Sequence, residues 1–496
     1  MVHHGSGGAG GGDMGSLTSA MEVIQIPDDG NSESAARDTS MADAAGTTTQ
    51  APSSPTRAST LRTPQTNETR PFDIVMKTGP PANPIEFTKP RFERGRRDDV
   101  LCYNERTKTH DVARNVLFRD FSREYGDADG ALHRVKQAYW PLPHKQKIRT
   151  IMGHVEICIV LTRCIRDANS DDDVSSGGDS SNDSEDDEDI VFQVTNKYVA
   201  VKVCYCDRMD RLRDRHAEDP LKEIAAMQII GNAHPNVMGT IEVLFDGGNL
   251  NVVMPYCDSG DLFELLQGSS STNNPATDDV GPGMSEPVAR YWFRQVMAGV
   301  KYLHTKGICH RDLSPENVMI DEKNCLIIDM GMCLRVPYKN PNSNDPNNNN
   351  SAPVVDIAHA GNSQQQHQRL LIKPQGACGK LPYMSPEIYR NRTPFDSEAV
   401  DVWTSGTILF CMVTGNRSYQ RPHSSDPQFY WMTNGLERLI QDWGVTLSSE
   451  CMHLLKNMMQ VDPRLRYTID EVLNHPWFAL SDQPPPATPQ QRVHSF

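Results

Sequence analysis

The chain has 496 residues, 37% hydrophobic and 23% charged, with a formal net charge of −15, which leaves room for two or three domains and a sizeable core. The charge is local: residues 165–190 hold eleven acids and one arginine, and the remainder stands near −5. No basic stripe exceeds RFERGRR at 91–97, which argues against a nucleic-acid partner, and no run of about 18 apolar residues argues for a membrane span.

Residues 1–95 are rich in Gly, Ser, Thr, Asp and Pro, and offer too little apolar surface to offset ordering entropy, so they read as disordered. No apolar stretch follows the Gly-rich start, which argues against a secretory leader. Residues 96–144 read as a partly helical extension, because DVARNVLFRDF (111–121) puts Val112, Val116, Leu117 and Phe121 at helical spacing. From 145 the chain becomes globular. Strand-like runs at 155–163, 190–194, 198–205, 239–245 and 250–254 are followed, after 286, by helical patterns such as Val288, Trp292, Val296, Val300 and Leu303. That order predicts an α+β, two-lobed domain over 145–479, with a β-rich lobe at 145–254 and a helical lobe at 255–479. The acidic segment 165–189 and the Asn/Gln-rich segment 339–368 read as disordered insertions, and the Pro-rich tail 480–496 as loose. The twelve cysteines contain no CxxC pair, which fits a reducing, cytoplasmic or nuclear compartment better than a zinc ribbon or disulfide framework.

In YVAVKV, Val199, Val201 and Val203 fall on one strand face, and Ala200 and Lys202 on the other. A small residue beside a lysine suits a face receiving a flat ring and then phosphates; alone, a solvated edge lysine is the plainer reading. Asp219-Pro220 starts a helix and Gly231 ends it, which sets Glu223 near the inner edge, able to meet Lys202; on this helix alone a surface-exposed Glu is an equal reading. HRDLSPEN (310–317) puts Asp312 five residues before Asn317, and DMG (329–331) adds Asp329.

This ordered set resembles the eukaryotic protein kinases of Ser/Thr type: VAVK, a helical Glu, HRDxxxxN, DMG for DFG, and SPE (385–387) for APE. HPNV (234–237), DVWTSG (401–406) and DPRLRYTIDEVLNHPWF (462–478) extend the likeness, the last most like the calcium/calmodulin-dependent kinase group. The resemblance implies a bilobal kinase fold that uses ATP and Mg²⁺ on protein substrates. It implies that Lys202, set by Glu223, holds the α- and β-phosphates. Asn317 and Asp329 take the metal, and Asp312 orients the substrate hydroxyl and accepts its proton. It also implies a gatekeeper at Met254, a hinge from Pro255 through Tyr256 to Cys257, a Glu387–Arg466 pair, and Asp401 tied to the catalytic-loop backbone. Asp261 and Glu316 fall near the peptide groove, which implies a basic residue upstream of the target.

The departures are specific. The glycine-rich loop reads best as GHVEICIV, with Gly153 and Val160 matching and Val155 and Cys158 in place of two glycines. Ser314 stands where such kinases carry a lysine, and Lys380 where they carry a threonine. We expect a swap, with the Lys380 ammonium taking the place of the missing lysine's and Ser314 making room for it and free to bond Asp312; the plainer alternative is two independent drifts or an inactive site. Met330 replaces the DFG phenylalanine. No Ser, Thr or Tyr lies between Ser363 and Tyr383, and Gly376 and Ala377 fill the usual phosphosite, so activity without phosphorylation there is expected. The acidic insertion, with Ser184 before Glu185, is either a solvated loop or a dock for basic partners. The rival to an enzyme is a pseudokinase scaffold, which the poor glycine loop and Ser314 favour. Dual or tyrosine specificity is hinted by Lys380 alone.

Overall fold

The computed structural model describes residues 81–122, 132–164, 190–212, 219–268, 283–339, 354–355, 357, 368–482 and 484. The acidic insertion and most of the Asn/Gln-rich one lie outside these residues.

The small lobe is built on β1 (Glu93–Asn104), β2 (Thr109–Arg119), β3 (Gln137–Pro141), β4 (Ile148–Arg149), β5 (Gly153–Arg163), β6 (Phe192–Tyr205), β7 (Glu242–Phe245) and β8 (Asn249–Pro255). Their order is β3-β2-β1-β7-β8-β6-β5, and β5 pairs back onto β3, so seven strands close on themselves. β4 continues the β3 edge along β5. The two strand-like runs at 190–194 and 198–205 form the single strand β6. Alternation along β6 turns Val199, Val201 and Val203 into the barrel, where they are buried with Leu117, Tyr139, Cys158, Val160, Leu244 and Val253. Ala200 and Lys202 face outward, toward the cleft.

Residues 81–95 and 96–144 differ from their sequence reading. The chain is placed from residue 81, and 111–119 is strand, not helix. Asn115, at φ 57°, is an extra residue in β2: Asp98 pairs with Val116 but Val100 pairs with Ala113. Such a bulge shifts the period-2 pattern, so Ala113 and Val116 share a face three residues apart and imitate a helical spacing. What helix the described part of 96–144 carries lies at 122 and 132–134. The extension therefore completes the small lobe, which begins near 93 and not at 145.

RFERGRR is consumed inside this lobe. Arg94 pairs with Asp120 at 2.9 Å. Arg97 bonds Glu156 at 2.7 Å and Asn251 Oδ1 at 2.9 Å, and Lys147 reaches Glu156 at 2.9 Å. Burial raises the Glu156 pKa, but Arg97 and Lys147 outweigh it and hold the carboxyl below its usual range.

Helix α1 (Cys206–Leu212) follows β6, and α2 (Pro220–Ile230) packs on the small-lobe sheet. The Asp219 side chain accepts from the Leu221 and Lys222 N–H groups, Pro220 takes the first position, and Gly231 turns the chain out at φ 60°. The large lobe begins with α3 (Leu262–Gly268) and α4 (Glu286–Thr305). α4 buries Trp292, Val296, Val300 and Leu303 against α6 (Ser397–Thr414), which α5 (Pro386–Arg390) precedes. Ribbons β9 (Ile308–Cys309) with β12 (Leu334–Arg335), and β10 (Val318–Asp321) with β11 (Asn324–Ile327), frame the HRDLSPEN loop. Midway along the Asn/Gln-rich insertion β14 (Val354–Val355) pairs with β13 (Tyr338–Lys339), and at the insertion's base the Lys339 N–H donates to Gln368 O at 2.8 Å. The tail is docked as far as Asp482, which pairs with Arg294 at 2.8 Å. Glu387 and Arg466 form a buried two-pronged pair at 2.6 and 3.1 Å. Among the described residues, no helix is long and apolar enough to cross a membrane.

Candidate active site

Lys202 on β6 bonds Glu223 on α2 through both carboxylate oxygens, at 2.8 and 2.7 Å. Burial disfavours charge on each. At Lys202 the Glu223 and Asp329 carboxylates more than offset it and hold the ammonium pKa above its usual value, while at Glu223 burial prevails over Lys202. The short two-pronged contact marks an ion pair.

The HRDLSPEN loop hangs from Asp401 on α6. That carboxylate accepts the His310 and Arg311 N–H groups, each at 2.9 Å, and the His304 ring at 2.9 Å. The hold is strong enough to keep Arg311 at φ 67°. Asp312 is then fixed from three sides. Asn317 Nδ2 donates to its carbonyl at 2.7 Å and to Oδ2 at 3.2 Å, and the Lys380 N–H donates to Oδ1 at 3.1 Å. Burial, with the Asp329 carboxylate, pushes the Asp312 pKa up against the pull of Lys380. Asp329 also sits at a left-handed φ, 65°, with its Oδ1 accepting the Gly331 N–H at 3.0 Å. Met330 behind it is buried.

Lys380 brings the two sequence departures together. Its ammonium donates to Ser314 Oγ at 2.7 Å and to Asn317 Oδ1 at 3.4 Å, with Glu316 at 3.6 Å. The Ser314 hydroxyl therefore bonds the ammonium, where Asp312 had been expected. Gly379 before it has φ 93°, and a Cβ there would lie 3.0 Å from Arg311 O and 3.1 Å from Asp312 Oδ1. Only glycine lets this segment run so close to Asp312.

The glycine-loop register is corrected by strand pairing. Val155 lies opposite Lys202 and Ile157 opposite Ala200, so these half-exposed side chains share the cleft face. Val160 points into the barrel core. Gly153 closes the turn from Thr150, and a Cβ on it would strike Val203 O at 1.8 Å, so its glycine serves strand contact and not phosphate approach. Spacing alone picks Val160; pairing with the VAVK strand puts Val155 and Ile157 on the cleft face instead. Met254 lies opposite Ala200 near the end of β8, with Tyr256 half-buried and Cys257 buried beyond it. Asp261 caps α3 by accepting the Glu264 N–H at 2.8 Å, and burial lifts its pKa to about 6.

Two contacts have no counterpart in the sequence analysis above. Arg311 reaches Cys378 Sγ and Gly376 O. Arg369 clamps Asp396 at 2.8 and 2.7 Å and Glu398 at 3.1 Å, fixing the same segment to the start of α6. Arg369 closes the run QQQHQR, whose polarity gives no sign of burial.

Among the described residues no group of three or more His, Cys, Asp or Glu side chains could hold a metal alone. Asn317 and Asp329 offer one amide and one carboxylate oxygen. That sparse, hard donor set suits Mg²⁺, which keeps water and takes its remaining ligands from phosphates.

Residues 189–478 match the protein kinase domain, and the chain belongs to that family. It is similar to the serine/threonine-protein kinase CHK1 of Mycosarcoma maydis, 33% identical over 204 residues, which are 40% of this chain and 26% of that protein. It is similar also to the SNF-related serine/threonine-protein kinase of Homo sapiens, 29% identical over 298 residues (59% and 32%). A third relative is CBL-interacting protein kinase 16 of Oryza sativa subsp. japonica, 29% identical over 294 residues (58% and 53%). The aligned part spans from about a quarter to about half the length of these relatives.

Proposed function

We propose that this chain transfers the γ-phosphoryl group of Mg-ATP to serine or threonine hydroxyls of protein substrates. The observation that carries this reading is the fixed Asp312 carboxylate, bonded by Asn317 and by the Lys380 main chain, with the Lys380 ammonium 2.7 Å from Ser314 Oγ. When bound, magnesium triphosphate supplies the electrophilic phosphorus and a charge-neutralised leaving group.

The chain's own groups do the rest. Lys202, steadied by Glu223, holds the α- and β-phosphates. Asp329 and Asn317 are the metal ligands, and the Val155, Ile157, Ala200 and Met254 side chains line the slot for the base. Asp312 accepts the substrate's proton. Lys380 stands in for the absent lysine at 314, placing positive charge where the transferred group develops negative charge. The preference for serine or threonine is supported by the similar proteins, which are serine/threonine-protein kinases. Glu316 and Asp261 near the large-lobe face suit a basic residue upstream of the target.

The test is a peptide array with radiolabelled Mg-ATP, followed by phosphoamino-acid analysis. Phosphoserine and phosphothreonine are expected. Nucleotide binding without transfer to any peptide or protein would favour a pseudokinase scaffold instead.

A further inference from the structure

The segment before β1 touches both parts of the molecule that must be held for Lys202 and Asp312 to work together. Ala82 N–H donates to Leu371 O at 2.9 Å, and Lys373 N–H donates back to Ala82 O at 3.0 Å. The other edge of this stretch is taken by Phe395, which exchanges two main-chain bonds of 2.9 Å with Ile372. The segment then crosses to Arg335: Ile85 N–H donates to Arg335 O at 3.1 Å, and the Phe87 ring lies 5.8 Å from that guanidinium. Arg335 pairs with Ile308 on β9, the strand that leads into the catalytic loop. Finally Arg91 N–H donates to Gln228 Oε1 at 2.9 Å, and Gln228 Nε2 returns a bond to Arg91 O. Gln228 is on α2, five residues from Glu223. Beyond Arg91 the chain enters β1 and is locked into the barrel.

We propose that residues 82–91 are an intramolecular activating strap, which positions the activation segment and α2 without a phosphate. The inference deepens the kinase reading and rests on it. Residues 364–382 hold no hydroxyl to phosphorylate, and Arg311 is engaged by Gly376 and Cys378. Arg369 and Phe395 hold one side of the segment that ends in Lys380, and the strap adds bonds at 371–373, the last of them seven residues upstream of that lysine. Most of these bonds are main chain, so the strap adds an edge to the segment as a strand would. Because the same strap also holds Gln228, losing it loosens both halves of the site together.

The experiment uses the full chain. Ala82→Pro with Ile85→Pro deletes the two donor N–H groups. Gln228→Ala, as a second variant, removes the side chain that ties the strap to α2. Phosphoryl transfer to a protein substrate and amide exchange at Lys373 are read on each. The double variant is expected to lose at least tenfold in kcat/KM, mostly in kcat, and to lose protection at Lys373. A synthetic peptide of residues 78–92 added in trans is expected to restore most of the activity, which a merely misfolded variant would not allow. If the double variant is unfolded by circular dichroism, Gln228→Ala decides, with a several-fold fall in kcat expected. Lost Lys373 protection with unchanged kcat/KM overturns the strap, as does retained kcat in Gln228→Ala. A wild-type chain that transfers no phosphate contradicts the kinase reading itself, a result distinct from either.

Discussion

Lys380→Met isolates the ammonium. Methionine keeps most of the side chain's length, and the main-chain N–H that bonds Asp312 at 3.1 Å stays in place. What is lost is a positive charge 2.7 Å from Ser314 Oγ and 3.4 Å from Asn317 Oδ1. Removing one preorganised donor to developing negative charge costs about 10²–10³ in kcat, ~2.7–4 kcal/mol. The Lys380 side chain is 21% exposed and has Glu316 at 3.6 Å, so solvent and a carboxylate already share its field. We therefore expect the low end, about a hundredfold in kcat/KM, or ~2.7 kcal/mol at 1.36 kcal/mol per tenfold. Steady-state transfer of labelled phosphate to the best array peptide reads this directly. The double change Ser314→Lys with Lys380→Thr puts the ammonium back from the other side, and should recover at least tenfold of the loss. Lys380→Met activity within about twofold of wild type would refute the swap, since an ammonium that contributes stabilisation cannot be removed at that little cost.

Other predictions follow from the same geometry. Because burial and Asp329 raise the Asp312 pKa, its carboxylate is protonated at a higher pH than an ordinary aspartate, and kcat/KM should fall as pH drops through that value. Lys380 opposes the rise, so in Lys380→Met the acid limb should move to higher pH; an unmoved limb would separate Asp312 from proton acceptance. Leu117→Ala empties a fully buried site in the barrel and should lower stability in urea by ~2–5 kcal/mol, whereas a dispensable appendage would give a change under about 0.5 kcal/mol. Arg466→Leu strands the buried Glu387 and should destabilise the large lobe by ~3–5 kcal/mol in the same assay.

The candidate site residues were legible because an Asp, an Asn and a lysine with a partner Glu stand at fixed spacing, and the fold brings Asp312, Asn317, Asp329, Lys202 and Glu223 together. The α2 helix was legible as well, since Asp219, Pro220 and Gly231 act locally at its ends. What escaped was set by pairing. Asn115 shifts the alternation in β2, and only the register against β1 exposes that. The cleft residue Ile157 is defined by lying opposite Ala200, not by its distance from Gly153. Residues 81–92 bond largely through their backbone, so a Pro-rich sequence that reads as disordered carries no side-chain mark of its position.

The account stands or falls on whether these groups, remote in sequence, perform one transfer. The direct measurement is γ-phosphate transfer from Mg-ATP to a peptide hydroxyl by the full chain, with Asp312→Asn beside it. Asparagine preserves the size of the side chain and much of its bonding to Asn317 but cannot take a proton. The wild type is expected to turn over, and the variant to be slower by about 10²–10⁴. Equal rates from the two proteins, or none from the wild type across the array, would contradict it.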